Sequence, residues 1–419
     1  MNRHVSSSLI ALAAALPLTL AGCSSSGDDN AGSAGSTGMA GSTGMAGSST
    51  VADPGPGGLY LTASGESLAV TGYDFPPATP DDTFLVDGWI FQLDHYIVSI
   101  DHIKLWENPD MVPADQSQHG AQVAHLDGPW AIDLHNGGPI TGEGGSPEQA
   151  EPFAAIKSKD DGTAFDTTMR YAFGFDTVAA SASATSVNLD ADGQSEYDYM
   201  VQNGYSVLYV GTVSRPDSDT CATAGGSAYD FTTLPKTLNF KLGFSTPTSY
   251  VNCQNGSEFP GVAGLNGEDY ERGVQFRSDR SVIGQVTIHA DHPFWESFAE
   301  DSPLRFDQIA AQYVGVTSPL GTVEDMKGVD FTAFTDKTGT VLPMRTCVDA
   351  SLYTPPYPAG QQLHFDPLKV PVDKTGTDPS QALRDYYDYI RYTQSTQGHL
   401  NSQGLCFVSR NFPSPPGGS

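Results

Sequence analysis

The chain is poor in basic residues. It has 20 lysines and arginines against 49 aspartates and glutamates in 419 residues, so its formal net charge is −29. A surface this negative repels a phosphate backbone, which excludes nucleic acid as a partner, and it attracts cations to any pocket that carboxylates line. Charged residues are scarce overall, at 16%, whereas glycine (45) and proline (29) are abundant. This composition is typical of a protein of strands and turns and disfavours a helical bundle.

The chain also lacks the short motifs that mark common active sites. It contains no G-x-S-x-G, no H-E-x-x-H, no P-loop and no G-x-G-x-x-G before a predicted helix. Each of these motifs fixes a nucleophile, a metal or a phosphate group at a defined turn or helix. No sequence feature therefore indicates an enzyme, and a protein that binds without catalysis is favoured.

The apolar run near the N-terminus, LIALAAALPLTL, is too short to span a bilayer as a helix. It follows a short basic region and precedes small residues, so residues 1–22 are predicted to be a secretory signal peptide. The string LAGC at 20–23 resembles the lipobox of bacterial lipoproteins. That resemblance implies cleavage before Cys23, a lipid on its sulfur that anchors the protein to the membrane, and, from Ser24, sorting to the outer membrane of the cell envelope. A soluble secreted protein is the alternative.

Cysteine is rare, with four residues besides Cys23: Cys221, Cys253, Cys347 and Cys406. An even number in an exported protein predicts two disulfides. Three pairings can be drawn, and proximity along the chain favours Cys221–Cys253 with Cys347–Cys406. Thiolate ligation of a metal is the alternative, and an oxidising compartment disfavours it.

Two regions differ sharply in composition. Residues 23–58 are rich in Gly and Ser, repeat AGSTGM in tandem, and are predicted to be a flexible tether. Residues 59–292 contain short apolar segments separated by turn residues, which predicts a mainly β domain, an antiparallel β-sandwich of immunoglobulin-like or jelly-roll-like type. Its longest segment, at 87–107, breaks its alternation twice and predicts either two strands or one strand with a bulge.

A few helices are predicted near the C-terminus, within a mixed helical and loop region at 293–412 that packs on the sandwich. Ser302 and Pro303 begin one helix that Gly315 ends. The clearest helix is DPSQALRDYYDYIRYTQ at 378–394, whose apolar positions follow a helical period. The residues after it, 413–419, are predicted to be a disordered tail.

Histidines provide the strongest chemical signal, in the segment TIHADHPFWESF at 287–298. His289 and His292 flank Asp291 at the end of a predicted strand. Neutral imidazoles with a carboxylate suit zinc or copper, and Asp291 would either bind the ion or orient a ring. The alternative is a structural role in hydrogen bonding.

His399 lies in QGHLNSQGLC, just beyond the clearest helix. A disulfide at Cys406 would fix this loop, and His399 could then complete a site begun by His289 and His292. The alternative for His399 is a cation that the dipole at a helix C-terminus favours.

A second candidate site is NLDADGQSEYDY at 188–199, which matches the first half of an EF-hand loop. Its twelfth position holds Tyr199 instead of the bidentate glutamate, so a nearby acidic residue would have to replace that ligand. An acidic turn without an ion is the alternative. The candidate calcium ligands are Asn188, Asp190, Asp192 and Glu196.

Seven short motifs between residues 84 and 406 carry a resemblance to a known family. In order, they are DGWIFQLDHYIVSIDHIKL, AIDLHNGG, YAFGFDT, YMVQNGYSVLYVGT, FKLGFSTPTSYVNC, IHADHPFW and GHLNSQGLC. The chain resembles a group of bacterial lipoproteins and is more distantly similar to the MbnP-like periplasmic copper-binding proteins. The resemblance implies a β-sandwich that binds a metal, and we carry over His289, His292 and His399. It also implies a tryptophan beside the copper, and no motif decides among Trp89, Trp106, Trp130 and Trp295.

The sequence therefore predicts a lipid-anchored protein of the cell envelope, periplasmic or surface-exposed, that binds copper or zinc. One alternative is a surface module that holds a glycan or a protein without catalysis. Another is a metal-dependent hydrolase, which would need three protein ligands and an open fourth position.

Overall fold

The structure is a computed structural model. It describes residues 51–79, 82–216, 221–223, 228–257, 264–296, 302–330, 334–348 and 383–412. The predicted signal peptide, Cys23, most of the tether and the predicted tail lie outside the described residues. No helix within the described ranges is long and apolar enough to cross a membrane.

The described part of the chain is mainly β, as the composition predicts. Its strands, in chain order, are β1 (Leu59–Ser64), β2 (Ile90–Glu107), β3 (Gln122–Leu126), β4 (Trp130–Asp133), β5 (Ile140–Thr141), β6 (Gln149–Ile156), β7 (Arg170–Thr177), β8 (Thr185–Ser186), β9 (Val207–Ser214), β10 (Ala222–Thr223), β11 (Thr237–Phe244), β12 (Thr248–Val251), β13 (Val274–Gln275), β14 (Val282–Ile288), β15 (Leu320–Gly321), β16 (Arg345–Thr346), β17 (Gly398–Leu400), β18 (Gly404–Leu405) and β19 (Phe407–Arg410).

Two large sheets and one short ribbon contain these strands. The smaller sheet has the order β18-β17-β14-β1-β6-β5, and β10 pairs with β16 in the ribbon. The larger sheet has eleven strands along the path β15-β11-β9-β2-β7-β12-β19, with β3, β4, β8 and β13 attached beside it. Most neighbours are antiparallel, but β1 and β14 run parallel at the centre of the smaller sheet.

The long strand β2 organises the larger sheet by pairing with β3, β4, β7 and β9. Its register shifts between Leu93 and His95 against β9, and between Asp101 and Lys104 against β7. The second shift falls where the sequence alternation breaks after Asp101, whereas the first lies before the break near Ile97 and Val98. Segment 87–107 therefore contains one irregular strand.

The two sheets share one apolar core, which gives the sandwich-like arrangement. Phe91 of β2 stacks on Phe240 of β11 with ring centroids 4.8 Å apart. The same Phe91 ring meets the edge of Phe294, just beyond β14, at 4.9 Å. Aromatic contacts of this kind stabilise a pair by about 0.5–1.5 kcal/mol beyond the area they bury, so they hold the segment after β14 against the larger sheet.

The C-terminal region, predicted to be a mixed helical and loop region, also contributes strands to both large sheets. It supplies β17 and β18 to the smaller sheet and β19 to the larger one. The antiparallel register places Thr287 of β14 opposite His399 of β17. The described residues of 293–412 therefore belong to the same folded unit as the described residues of 59–292.

Helices are few and short in the described ranges: α1 (Glu66–Thr71), α2 (Ala191–Asn203), α3 (Asp307–Ala310) and α4 (Tyr386–Gln394). The helix predicted from Ser302 is shorter than expected, because α3 gives way to a 3-10 helix at Ala311–Tyr313. In the predicted C-terminal helix, α4 begins after Asp385, whose carboxylate caps it by accepting the N–H of Asp388 at 3.0 Å. Residues 378–382 lie outside the described ranges.

Both disulfides form, but the predicted pairing is wrong. The bonds join Cys221 to Cys347 and Cys253 to Cys406. Strand pairing over long sequence distances explains both, since β10 lies beside β16 and β12 lies beside β19. Two disulfides in one chain indicate an oxidising compartment outside the cytoplasm.

Candidate metal centre

The histidines meet at one edge of the smaller sheet, where β14 ends. His289 directly follows β14, and its backbone N–H donates to the carbonyl of Gln397 at 3.0 Å, which continues the pairing toward β17. A 3-10 helix, His292–Phe294, then turns the chain back over this edge. His399 lies on β17 itself. Gly398 before it is required, because a Cβ there would lie 2.4 Å from the Tyr250 ring.

The structure brings the three imidazoles together in a compact, buried cluster. The ring centroid of His289 lies 4.2 Å from that of His399 and 5.4 Å from that of His292. The rings of His292 and His399 are 5.7 Å apart. His289, His292 and His399 are only 8, 2 and 6% exposed, so water competes little for their nitrogens.

Hydrogen bonds fix the tautomers of two rings. Nε2 of His289 lies 3.0 Å from the carbonyl of Ser402, which can only accept, so Nε2 carries a proton and, in the neutral ring, Nδ1 carries the lone pair. Nδ1 of His292 lies 2.8 Å from Oγ1 of Thr396. That hydroxyl donates to the carbonyl of Thr393 at 2.7 Å and therefore accepts from His292, which leaves the lone pair on Nε2.

The third ring presents an unpartnered nitrogen. Nδ1 of His399 is buried and has no hydrogen-bond partner. Leaving such a group unsatisfied costs about 1–3 kcal/mol. Burial, and then the neighbouring imidazoles, hold the pKa values of both His292 and His399 well below their usual range. These two rings are therefore neutral at physiological pH, which is the form that binds metals.

Asp291 and Trp295 border the cluster. The indole Nε1 of Trp295 donates to Oδ2 of Asp291 at 2.9 Å, and its ring lies 3.8 Å from that of His292. Trp295 is thus the tryptophan at this site among the four that the sequence offered. The second oxygen of Asp291 lies 4.0 Å from Nε2 of His292.

The spacing of donor atoms is looser than that around a bound ion. The ligand atoms of His289, Asp291 and His292 lie within 4.8 Å of one another. Bonds of roughly 2.0–2.1 Å in a tetrahedral site would bring them to roughly 3.3 Å, so small side-chain rotations would accompany binding.

Glu66 belongs to this cluster but was not predicted. Its Oε2 lies 3.5 Å from Nδ1 of His289. Burial raises the pKa of the Glu66 carboxyl, His289 opposes that shift, and the charges of Asp291 and Glu148 add to it. Glu66 follows β1, which runs parallel to β14, so both strands end at the same edge of the sheet. Only this pairing, which the sequence does not reveal, brings Glu66 to the histidines.

A buried polar network supports the turn that carries the carbonyl of Ser402. Nε2 of Gln285 donates to Glu148 Oε1 at 2.7 Å and to Thr287 Oγ1 at 2.9 Å. The same Thr287 hydroxyl accepts the backbone N–H of Ser402 at 3.0 Å. Asn401 and Ser402 both adopt left-handed conformations, at φ +51° and +68°. The network holds this turn in place and so fixes the orientation of the His289 ring.

The candidate calcium segment does not form an EF-hand-like loop, so that prediction of local structure is wrong. Residues 191–203 form α2, and Asp190 caps it by accepting the N–H of Gly193 at 2.7 Å. The Asn188 side chain bonds the backbone of Asp133, at 2.9 and 2.8 Å. Glu196 forms an ion pair with Lys241 at 2.7 Å. Asp192 lies exposed in the first turn of the helix.

A second group of possible ligands, Asp101, His102 and Asp127, surrounds the irregular part of β2. Oδ1 of Asp101 accepts the backbone N–H groups of His102 and Gly128, both at 2.7 Å. Nδ1 of His102 lies 3.1 Å from Oδ2 of Asp176. Through these contacts, Asp101 and His102 stabilise the irregular part of β2, which accounts for the group without a metal ion.

Comparison with known proteins adds no relative. No protein-family model matches the chain, and neither a curated protein nor a solved structure matches it. The resemblance to the MbnP-like copper-binding proteins therefore rests on the seven short motifs alone.

Proposed function

We propose that this protein binds one copper or zinc ion through His289, His292 and His399. The observation that carries this proposal is the buried meeting of three imidazoles, one of which has an unpartnered nitrogen. Burying that nitrogen without a partner costs free energy, and a bond to an ion would repay its desolvation.

The donor set favours copper or zinc over harder ions. Imidazole nitrogen suits both metals, whereas calcium and magnesium take oxygen ligands. Asp291 supplies a carboxylate within reach, and Trp295 fixes its orientation by donating to it at 2.9 Å. Hydrogen bonds of this type around a ligand raise metal affinity because they hold the ligand in its binding geometry.

Metal content tests the proposal. We expect one equivalent of copper or zinc per chain in the wild type and close to none when His289 and His292 are both replaced by alanine. Elemental analysis after dialysis against a weak chelator measures this. His125→Ala is the matched control, because His125 is an exposed histidine paired with Asp160 at 2.8 Å, outside the cluster. Equal metal content in the double variant and the control would refute the proposal.

We also propose that the protein is a lipoprotein of the cell envelope, attached through Cys23. The supporting observations are the LAGC string at 20–23, the apolar run before it and the two disulfides. We expect the wild type in the membrane fraction and the Cys23→Ser variant in the soluble fraction of an expressing bacterium. Fractionation with mass measurement of the N-terminal peptide checks this. A wild type recovered without lipid would contradict it.

A further inference from the structure

A cleft of about 550 Å³ opens directly beside the histidine cluster. One wall is α1 with the chain that follows it, and the other is the glycine-rich loop at 144–148. Glu66 and Ser402 belong to both the cleft and the cluster. The cleft therefore connects solvent with the edge of the histidine site.

The cleft is acidic. Four carboxylates line it, those of Glu66, Asp74, Asp82 and Glu148, and the described residues of its walls include no lysine, arginine or histidine. Asp74 and Asp82 are exposed near the mouth, whereas Glu148 is buried. A concave surface of one charge sign focuses its field and concentrates counter-ions, which here are cations.

Glu66 lies between the cleft and the first histidine. One carboxylate oxygen accepts from the Ser402 hydroxyl at 3.2 Å, and the other lies 3.5 Å from Nδ1 of His289. The backbone of Glu66 has φ +61°, in the left-handed region. This conformation costs a non-glycine residue about 1–2 kcal/mol. Ser64 supports it by accepting the Glu66 N–H at 2.9 Å.

We propose that this acidic cleft is the route by which the metal ion reaches the histidines, and that the Glu66 carboxylate transfers the ion from the cleft to Nδ1 of His289. The inference rests on the proposed metal site. It adds two roles, since Asp74 and Asp82 attract the hydrated cation from a distance, whereas Glu66 contacts it. Long-range attraction is screened by salt and direct contact is much less so, which separates the two roles by experiment.

The test measures the rate of Cu²⁺ uptake by stopped-flow quenching of tryptophan fluorescence, because the Trp295 ring lies 3.8 Å from that of His292. At low ionic strength we expect Asp74→Asn with Asp82→Asn to load about 10-fold more slowly than wild type, and most of this difference to vanish at 0.5 M salt. Glu66→Gln should load at least about 10-fold more slowly at both salt concentrations. Asp192→Asn with Asp198→Asn is the control, since it removes the same charge from exposed positions of α2.

The outcomes separate the route from the site. Slow loading by the cleft variants at low salt, with wild-type loading by the α2 control, supports the route. Equal slowing in the α2 control would show that only the net charge of the protein affects the loading rate. Wild-type loading rates in the cleft variants would show that the ion reaches the histidines by another route. Either result overturns the inference and leaves the proposed metal site untouched. A different result is that the wild type takes up no Cu²⁺, or takes up only as much as the variant in which His289 and His292 are both replaced. In either case the proposed function itself fails, and the route fails with it.

Discussion

Replacing Cys253 and Cys406 together with alanine is expected to lower the free energy of unfolding by about 2–5 kcal/mol, because the bond restricts the unfolded chain across a large loop. The two cysteines are 153 positions apart. Their bond ties β12 to β19, in the same C-terminal segment as β17, which carries His399. We therefore also expect weaker metal binding. Urea unfolding followed by circular dichroism measures the first effect, and metal titration the second.

The other disulfide provides the matched control. Cys221 and Cys347 are 126 positions apart, so their replacement by alanine should destabilise the fold by a similar amount. That bond lies at the β10–β16 ribbon, with the Cys347 sulfur 3.1 Å from the carbonyl of Asp87, and it does not touch the histidines. Metal affinity should be retained there. If both double variants bind metal equally well, the Cys253–Cys406 bond does not position His399.

The sequence indicates which segments become strands, because the alternation of apolar residues is a local property. It does not indicate which strands become neighbours. The parallel pairing of β1 with β14 joins residues more than 200 positions apart, and no short motif encodes it. The disulfide prediction failed for the same reason, since proximity along the chain was used where strand pairing decides. The β-rich class could thus be predicted, and the order of strands could not.

The same distinction explains which parts of the candidate site could be predicted. His289 and His292 are three positions apart at the end of a recognisable strand, so their spacing alone suggested a site. Glu66 and Ser402 come from opposite ends of the folded chain and meet only after β1, β14 and β17 have assembled. When strand pairing brings together residues that are far apart in the sequence, they form no short motif from which the site could be predicted.

The candidate calcium segment shows how two local patterns compete. The aspartate of such a segment can bind calcium in a loop, or it can cap a helix by accepting a backbone N–H three positions later. Asp190 fills the second role, and the twelfth position of the supposed loop, Tyr199, lies within α2. The missing glutamate at that position was the informative feature, because without a bidentate ligand the helix has no competitor.

Replacing His399 with leucine is expected to separate metal binding from folding. Leucine is close to histidine in volume and removes the unpartnered Nδ1, so the metal-free variant should differ from wild type by less than about 1.5 kcal/mol in unfolding free energy. Metal binding should change far more. At a free ion concentration 100 times the dissociation constant, wild type gains about 2.7 kcal/mol of stability. If one lost ligand weakens binding about 100-fold, the variant gains only about 0.4 kcal/mol at that concentration.

Urea unfolding with and without the ion gives both quantities from the same samples. His119→Leu is the control, because His119 stacks on Trp106 at 4.2 Å, outside the cluster, and should leave the metal-dependent gain at its wild-type value. A His399→Leu variant that keeps the full gain would show that His399 is not a ligand. A metal-free variant that loses several kcal/mol would show instead that the imidazole holds the edge of the sheet together. His399 is identified as a metal ligand only if the variant keeps its metal-free unfolding free energy and loses the increase that the ion produces. The buried nitrogen then contributes to metal binding and not to folding.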